Sequence, residues 1–120
     1  MELEEAQDKI EDFDRTRGWE NSWHLKDLSL NLVEEVGELW NLIKWIDEEE
    51  QKEVVEENKP EVSDFVGDAL FLILKIANKT DVDCGEALTN TLSEYRERMP
   101  SDEIKEAGHA NVNSNGVDRK

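Results

Sequence analysis

The chain has 120 residues and a mass of 13.9 kDa, which suits one compact domain and excludes a two-domain enzyme. Acidic side chains outnumber basic ones by 31 to 14, and the formal net charge of −17 disfavours binding to nucleic-acid polymers and to anionic membranes. No apolar run reaches the ~18 residues of a membrane span, the N-terminus lacks a signal-peptide pattern, and a single cysteine excludes an internal disulfide. The composition predicts a soluble cytoplasmic protein.

Glycines and prolines divide the sequence into segments of helical length, and strand-like alternation is absent. The pattern predicts a first helix over about residues 2–17, followed by a linker over 18–26 that carries two of the four tryptophans. A second helix, capped by Asp27, is predicted to continue to about Glu50. An acidic connection is expected after it.

The second half of the chain begins with Pro60, which marks the first turn of a third predicted helix that ends near Lys79. A turn over residues 80–83 leads to a fourth helix over 84–98, which Pro100 stops. The sequence therefore predicts an all-α protomer with four main helices.

The residues after Pro100 are polar and rich in Asn, Ser and Gly. They predict a short helix over 101–107 and a mobile tail over 108–120, outside the domain of residues 1–100. Within that domain, the stretch from Ala69 to Leu74 is apolar all round. This exceeds what one helix seam can cover and predicts a helical dimer or a higher oligomer.

The second predicted helix carries a carboxylate on its apolar side. At about 100° per residue, Glu35 falls within an arc of leucine and isoleucine side chains, Glu38 lies at its edge, and Glu34 points towards solvent. Because a buried carboxylate without a partner is costly, a cation is expected beside Glu35. It is either a Lys or Arg from another helix or a metal ion held by several acids, and this helix alone favours neither.

The third predicted helix favours the metal ion. Glu61, Asp64 and Asp68 recur at spacings of three and four residues, and the face they share borders the apolar face instead of lying opposite it. Packing the two helices together would bring this acidic stripe near Glu35 and Glu38, where only cations would hold the like charges together. All these ligands are oxygens, which favours Mg²⁺ or Mn²⁺ over zinc.

The segment LVEEVGEL, at residues 32–39, resembles the E-E-x-x-E signature of the all-α nucleoside triphosphate pyrophosphatases, the MazG-like superfamily. Further blocks resemble the dCTP pyrophosphatase branch in order and spacing: RGWE at 17–20, Trp45, GDALF at 67–71 and RERMP at 96–100. The likeness spans roughly residues 13–100.

The resemblance implies a MazG-like four-helix protomer, assembled as a dimer or a pair of dimers. It implies hydrolysis of a nucleoside triphosphate between the α and β phosphates, which yields the monophosphate and pyrophosphate. Carried over by position, Glu35, Glu38 and Asp68 are implied as Mg²⁺ ligands. Trp45 would lie at the nucleotide pocket, and Lys26 takes a basic position before the signature.

Phosphoryl transfer suggests roles for further residues. Glu38 or Glu34 is the candidate to orient or deprotonate the attacking water. The rings of Trp19, Trp23 and Trp45 are candidates to stack on a base, with packing as the alternative. His24 either contacts the nucleotide or hydrogen-bonds at the start of a helix. A polyanionic substrate also needs cations, for which the candidates are Lys26, Lys44, Lys75, Arg96 and Arg98.

Several positions depart from the family's pattern. If Asp68 aligns with the Asp of the family's E-x-x-D motif, Phe65 stands where the Glu belongs. Asp64 or Glu61 could then supply the missing ligand, and Asp64 is the better of the two because it lies four residues before Asp68. An alternative alignment places the motif at residues 61–64 but demands an extra helical turn before the next block. On the fourth helix, a Lys and an Asn of the family are replaced by Thr91 and Tyr95.

Three functions are compatible with these patterns. The first is a Mg²⁺-dependent pyrophosphatase that clears non-standard or surplus nucleoside triphosphates. The second is a nucleotide- or metal-binding regulatory protein on the same fold that has lost catalysis, which the departure at Phe65 suggests. The third is a helical interaction module in which Glu35 forms an ion pair. Release of pyrophosphate with Mg²⁺ separates the first function from the other two.

Overall fold

The computed structural model of the protein describes residues 1–107, which contain six α-helices and no strand. The all-α prediction is confirmed, and the predicted tail over 108–120 lies outside the described residues. Within residues 1–107, every helix is too short or too polar to span a lipid bilayer. The helices are α1 (Leu3–Thr16), α2 (Leu25–Ile43), α3 (Glu48–Glu57), α4 (Lys59–Lys79), α5 (Cys84–Arg98) and α6 (Ser101–Ala107).

The start of α2 differs slightly from the prediction. His24 occupies the N-cap position, and its backbone N–H donates to the carboxylate of Asp27 at 3.4 Å. Asp27 therefore stabilises the helix from its third residue, as the acidic member of a capping box, and does not occupy the N-cap itself.

The end of α2 differs more, because the prediction of one helix up to about Glu50 followed by an acidic connection is wrong. The helix ends at Ile43, and Asp47 begins a new helix by accepting a hydrogen bond from the backbone N–H of Glu50 at 2.9 Å. Asp is a preferred N-cap residue, and the Glu, Gln and Lys residues that follow have high helix propensity. They form α3 as a result, and the chain has more helices than the four main ones predicted.

The chain divides into two compact units, one comprising residues 1–82 and the other beginning at Asp83. In the first unit α4 packs against α1 and α2, and α3 contacts α2 and α4. The buried apolar core consists of Leu28 from α2 and three residues of α4, which are Leu72, Leu74 and Ala77. The central helix of this unit is therefore α4.

The second unit contains α5 and α6. The side chain of Asp83 caps α5 by accepting a hydrogen bond from the backbone N–H of Glu86 at 2.8 Å. Arg98 lies in the last turn, 3.8 Å from the carboxylate of Glu94, and its guanidinium lies 5.5 Å from the ring centre of Tyr95.

Both α2 and α4 expose large apolar side chains to solvent. We call this set the exposed apolar face, and its members expose between 46% and 65% of their surface. Within the predicted apolar stretch of α4, Leu72 and Leu74 are buried while Leu70 and Ile73 belong to this face. The face consists of Leu30, Val33, Val36, Trp40, Val66, Leu70 and Ile73.

Candidate functional site

Carboxylates from α2 and α4 meet at one cavity of about 210 Å³, which we call the carboxylate cavity. Glu35 and Glu38 of α2 lie one helical turn apart because of their three-residue spacing. The packing of α4 on α2 places Asp68, near the middle of α4, at the same cavity. The cavity is lined by Asn31, Glu34, Glu35, Glu38, Asp68, Phe71 and Leu72.

Glu35 is the most shielded of the four carboxylates. It is half-buried, whereas Glu34, Glu38 and Asp68 are exposed. The pKa of Glu35 is raised above its ordinary value, first because burial desolvates the carboxylate and then because the charges of Glu38 and Asp68 repel it. Glu34 and Asp64 add smaller repulsions.

The cation expected beside Glu35 is not supplied by the part of the chain that the structure describes. Within residues 1–107, no Lys, Arg or His forms an ion pair with any of the four carboxylates of the cavity. The alternative in which Glu35 pairs with a basic residue of another helix therefore has no support among these residues.

The donor atoms of the cavity are all oxygens, which is the set that Mg²⁺ and Mn²⁺ prefer. As the side chains stand, no three His, Cys, Asp or Glu residues among the described ones form a group that could hold a metal ion. The exposed Glu34 and Glu38 are free to adopt other rotamers. Metal binding would require them to turn towards Glu35.

Phe65 lies beside the acids in a second, smaller cavity of about 140 Å³. It is half-buried there and lies near Glu38, which lines both cavities, and near Glu61. Asp64 is exposed and does not line the carboxylate cavity, although its charge acts on Glu35. An aromatic ring thus occupies the position next to Glu38 where the resemblance implies a carboxylate.

The predicted substrate-binding residues do not line the carboxylate cavity. Trp45 lies in the turn after α2 and is 84% exposed, with Nζ of Lys44 5.6 Å from its ring centre. Lys26 is exposed in the first turn of α2. Trp19 packs edge-to-face against Phe13 and Trp23 at 6.0 Å, the packing role. The remaining basic candidates belong to the second unit and are Arg96 and Arg98.

The first unit contains a buried ion pair that the sequence does not predict. Lys75 of α4 is only 2% exposed, and its Nζ lies 3.0 Å from Oδ1 of Asp14 of α1, which is 8% exposed. Three aromatic rings surround the ammonium, with their centres 5.1–5.4 Å from Nζ. We call this group the lysine box; the rings are those of Trp19, Trp23 and Phe71.

The burial of Lys75 contradicts its place among the cations expected to meet substrate, because its charge is already paired. The sequence does contain a signal, since Lys75 interrupts an apolar run between Leu70 and Ala77. The argument that demands a cation beside Glu35 equally demands an anion beside Lys75. The sequence cannot identify that anion, because Asp14 lies 61 residues away.

The lysine box also contributes to a cavity of about 460 Å³ between α1, the linker before α2 and α4, which we call the linker cavity. His24, a predicted substrate contact, lies at this cavity, together with Lys75 and Trp23. Nε1 of Trp23 is buried and has no hydrogen-bond partner among the described residues. Lys79 closes the linker onto α4 by donating to the carbonyl oxygen of Glu20 at 3.1 Å.

Comparison with known proteins gives one informative similarity. No protein family model matches the chain, and no curated protein sequence matches it. Among solved structures, the chain is similar to a pyrophosphatase from Archaeoglobus fulgidus, with 27% sequence identity and a TM-score of 0.74. The similarity covers 82% of this chain and 93% of that protein. The chain therefore has a pyrophosphatase fold.

Proposed function

We propose that the protein is a cytoplasmic, Mg²⁺-dependent nucleoside triphosphate pyrophosphatase that clears non-standard or surplus nucleotides. The observation that carries the proposal is the carboxylate cavity, where four acids of α2 and α4 meet without an ion-pair partner in residues 1–107. The fold similarity to an archaeal pyrophosphatase supports the reaction class. The signature at residues 32–39 and the blocks that follow it support the MazG-like superfamily and its dCTP pyrophosphatase branch.

The residues that would hold Mg²⁺, or Mn²⁺ in its place, are Glu35, Glu38 and Asp68, with Asp64 as a further ligand. Bound there, the ion would neutralise the charge that accumulates on the phosphates during the reaction. The possible metal-ligand atoms at the cavity are all oxygens, which fits this choice of metal. The pKa of Glu35 is raised first by burial of the carboxylate and then by repulsion from Glu38 and Asp68, and a divalent cation would relieve that repulsion.

The attacking water would be held by Glu38 or Glu34, which are the exposed carboxylates of α2 at the cavity. Either carboxylate can accept a hydrogen bond from the water and take its proton as the oxygen attacks the α-phosphorus. The bond between the α-phosphorus and the bridging oxygen breaks, and pyrophosphate leaves. Phe71 and Leu72 form the apolar wall of the cavity and exclude bulk water from that side.

Groups outside the cavity would bind the rest of the nucleotide. Trp45 offers an exposed ring for a base, and Lys26 an exposed cation for the phosphates. Arg96 and Arg98 are further proposed cations. The exposed apolar face supports assembly as a homodimer or homotetramer.

Binding without turnover is a second candidate function, and Phe65 is the observation that favours it. Its half-buried ring lies next to Glu38 where the resemblance implies a metal ligand. Removing one ligand from a metal site weakens the hold on the ion and on the substrate phosphates. The protein would then bind nucleotide or metal as a regulatory homologue.

The decisive experiment incubates the protein with a panel of ribo- and deoxynucleoside triphosphates in Mg²⁺, in Mn²⁺ and in EDTA. Pyrophosphate and nucleoside monophosphate are measured together, and inorganic pyrophosphate is included as a separate substrate. We expect equal amounts of the two products from a triphosphate, and none in EDTA. Binding of metal without product supports the regulatory homologue, and phosphate release from inorganic pyrophosphate alone contradicts both candidates.

The matched variants are Glu35→Gln in the cavity and Glu53→Gln on α3, where the carboxylate is exposed. Both substitutions remove one negative charge from the protein and keep the shape of the side chain. We expect the first to reduce metal-dependent release about 100-fold and the second to leave it unchanged. An equal loss in the two variants would assign the effect to net charge and not to the cavity.

A further inference from the structure

The lysine box and the carboxylate cavity share one side chain, Phe71. Its ring centre lies 5.3 Å from Nζ of Lys75, and the same residue lines the carboxylate cavity beside Asp68. We propose that Lys75 is a positioning residue for the carboxylate cavity and that it acts through Phe71. This inference rests on the proposed function, because it concerns the residues that shape the same cavity.

Two contacts from other side chains act on the Phe71 ring. Phe13 of α1 packs edge-to-face against it, with ring centres 5.9 Å apart and an interplanar angle of 85°. Lys75 follows Phe71 by four residues on α4, so the two side chains are neighbours on one helix face. The ammonium is attracted to the ring by its quadrupole. If the ammonium is removed, the Phe71 ring keeps its contact with Phe13 and loses the contact with Lys75.

The ammonium of Lys75 is itself held in place by α1. Its Nζ donates to Oδ1 of Asp14, and the backbone carbonyl of Asp14 accepts from the N–H of Arg17 at 3.1 Å and of Trp19 at 2.8 Å. The end of α1, the start of the linker and the cation on α4 therefore form one connected group. A buried ammonium needs such a partner, because desolvation otherwise disfavours its charge.

Lys79 provides a matched control on the same face of α4, one turn after Lys75. Its Nζ donates to the carbonyl oxygen of Glu20 in the linker, and it is half-buried. Both lysines of α4 contact the linker. Lys75 does so through the rings of Trp19 and Trp23, whereas Lys79 does so through a hydrogen bond to a backbone carbonyl. Lys79→Met therefore tests whether any lysine contact between α4 and the linker is sufficient.

The test removes both charges of the pair at once, with the double substitution Lys75→Met and Asp14→Leu in the full chain. Replacing a buried ion pair with apolar residues of similar size often preserves stability, and circular dichroism and thermal melting verify the fold. We expect turnover to fall about tenfold, because displacement of a group at a reacting centre is costly even when it is small. Lys79→Met should match the wild type.

Phe71→Leu tests the route of the effect and keeps the ion pair intact. If Lys75 acts through Phe71, this variant loses about as much turnover as the double variant. Combining all three substitutions then adds no further loss. Additive losses, or wild-type turnover in Phe71→Leu, would overturn the inference even if the double variant fails to fold.

Binding of Mn²⁺ alone, followed by electron paramagnetic resonance, gives a readout that needs no turnover. We expect the dissociation constant to rise several-fold in the double variant and in Phe71→Leu, and to stay unchanged in Lys79→Met. Normal turnover and Mn²⁺ binding in the folded double variant overturn the positioning role and leave the proposed function intact. If the wild type releases no pyrophosphate, the proposed function fails, and Mn²⁺ binding alone tests the role of Lys75. In that case the inference is overturned if the wild type does not bind Mn²⁺, or if the double variant and Phe71→Leu bind it as the wild type does.

Discussion

Asp68 and Lys75 lie two turns apart on α4, and the fold treats their charges in opposite ways. Lys75 is fully buried, with a carboxylate 3.0 Å away and three aromatic rings around it. Asp68 is exposed, and its cavity brings it towards like charges, including that of Glu35. A charge that folding removes from water is thus paired within the chain. We propose that a group of like charges at the edge of water is compensated by a cation from solution.

The largest expected effect concerns the paired region. Lys75→Met leaves the carboxylate of Asp14 buried without a partner, so we expect the free energy of unfolding to fall by about 3–5 kcal/mol. Adding Asp14→Leu to that variant should restore most of this loss. Urea denaturation of the wild type and the two variants measures both changes. A single variant as stable as the wild type would remove the contrast between the two regions.

The second effect concerns the unpaired region and has the opposite sign for stability. Glu35→Gln and Asp68→Asn should each reduce metal-dependent turnover by about 100-fold. The metal-free proteins should be at least as stable as the wild type, because each substitution removes repulsion. Product assays and thermal melts in EDTA test the two statements. Wild-type turnover in both variants would contradict the assignment of the cavity.

The third prediction moves from the cavity to the exposed apolar face. We expect a dimer or larger oligomer at micromolar concentration, measured by light scattering. Val33→Glu places a charge on this face and should raise the dissociation constant at least about tenfold, since a charge at an apolar interface is left unpaired. Glu53→Gln on α3 is the control. A wild type that is monomeric at that concentration contradicts the prediction.

The fourth prediction tests whether the position of Phe65 belongs to the metal site. Phe65→Glu adds a carboxylate next to Glu38 and Glu61, so the metal-free protein should lose about 1–3 kcal/mol of stability. Mg²⁺ should restore part of this loss and strengthen turnover a few-fold, and Asp64→Asn should weaken the response to Mg²⁺. An early-melting Phe65→Glu protein that gains nothing from Mg²⁺, together with a normal Asp64→Asn, would show that Phe65 is ordinary core.

The smallest effect is the pH dependence that follows from the raised pKa of Glu35. A folded-state pKa above the ordinary value of 4.5 means that the folded protein holds this proton more tightly than the unfolded chain. The wild type therefore loses stability as the pH rises from the ordinary towards the raised value, and Glu35→Gln does not. Melting in EDTA at about pH 5 and pH 7.5 should show a larger advantage of the variant at the higher pH. An equal difference at both values would contradict the shift.

The sequence predicts the long helices because their signals are local. Apolar periodicity, Pro60 and Pro100 lie within a few residues of the boundaries that they set, so the third and fourth predicted helices agree with α4 and α5. The acidic segment after Asp47 is different, because nearly all its side chains favour water whether or not the backbone is helical. Its propensity and its cap determine the helix there, and the apolar pattern contributes little.

The sequence predicts the acids of the candidate site for the same reason. Glu34, Glu35 and Glu38 share one helix, and their phase relative to the apolar arc distinguishes the shielded Glu35 from its neighbours. The lysine box depends on partners from α1, the linker and α4, and no local pattern connects Lys75 with Asp14. A pair of residues that are 61 positions apart in sequence can be identified only from the packing of the helices.

The Asp14 and Lys75 pair also constrains how this chain can change over generations. Loss of either residue alone strands a buried charge, while loss of both leaves an apolar contact that the core tolerates. Mutational paths through these two positions should therefore show sign epistasis: each first step is harmful, and the second step becomes favourable only after the first. A pairwise mutational library selected for folded protein should retain both residues or replace both, and deplete the single replacements.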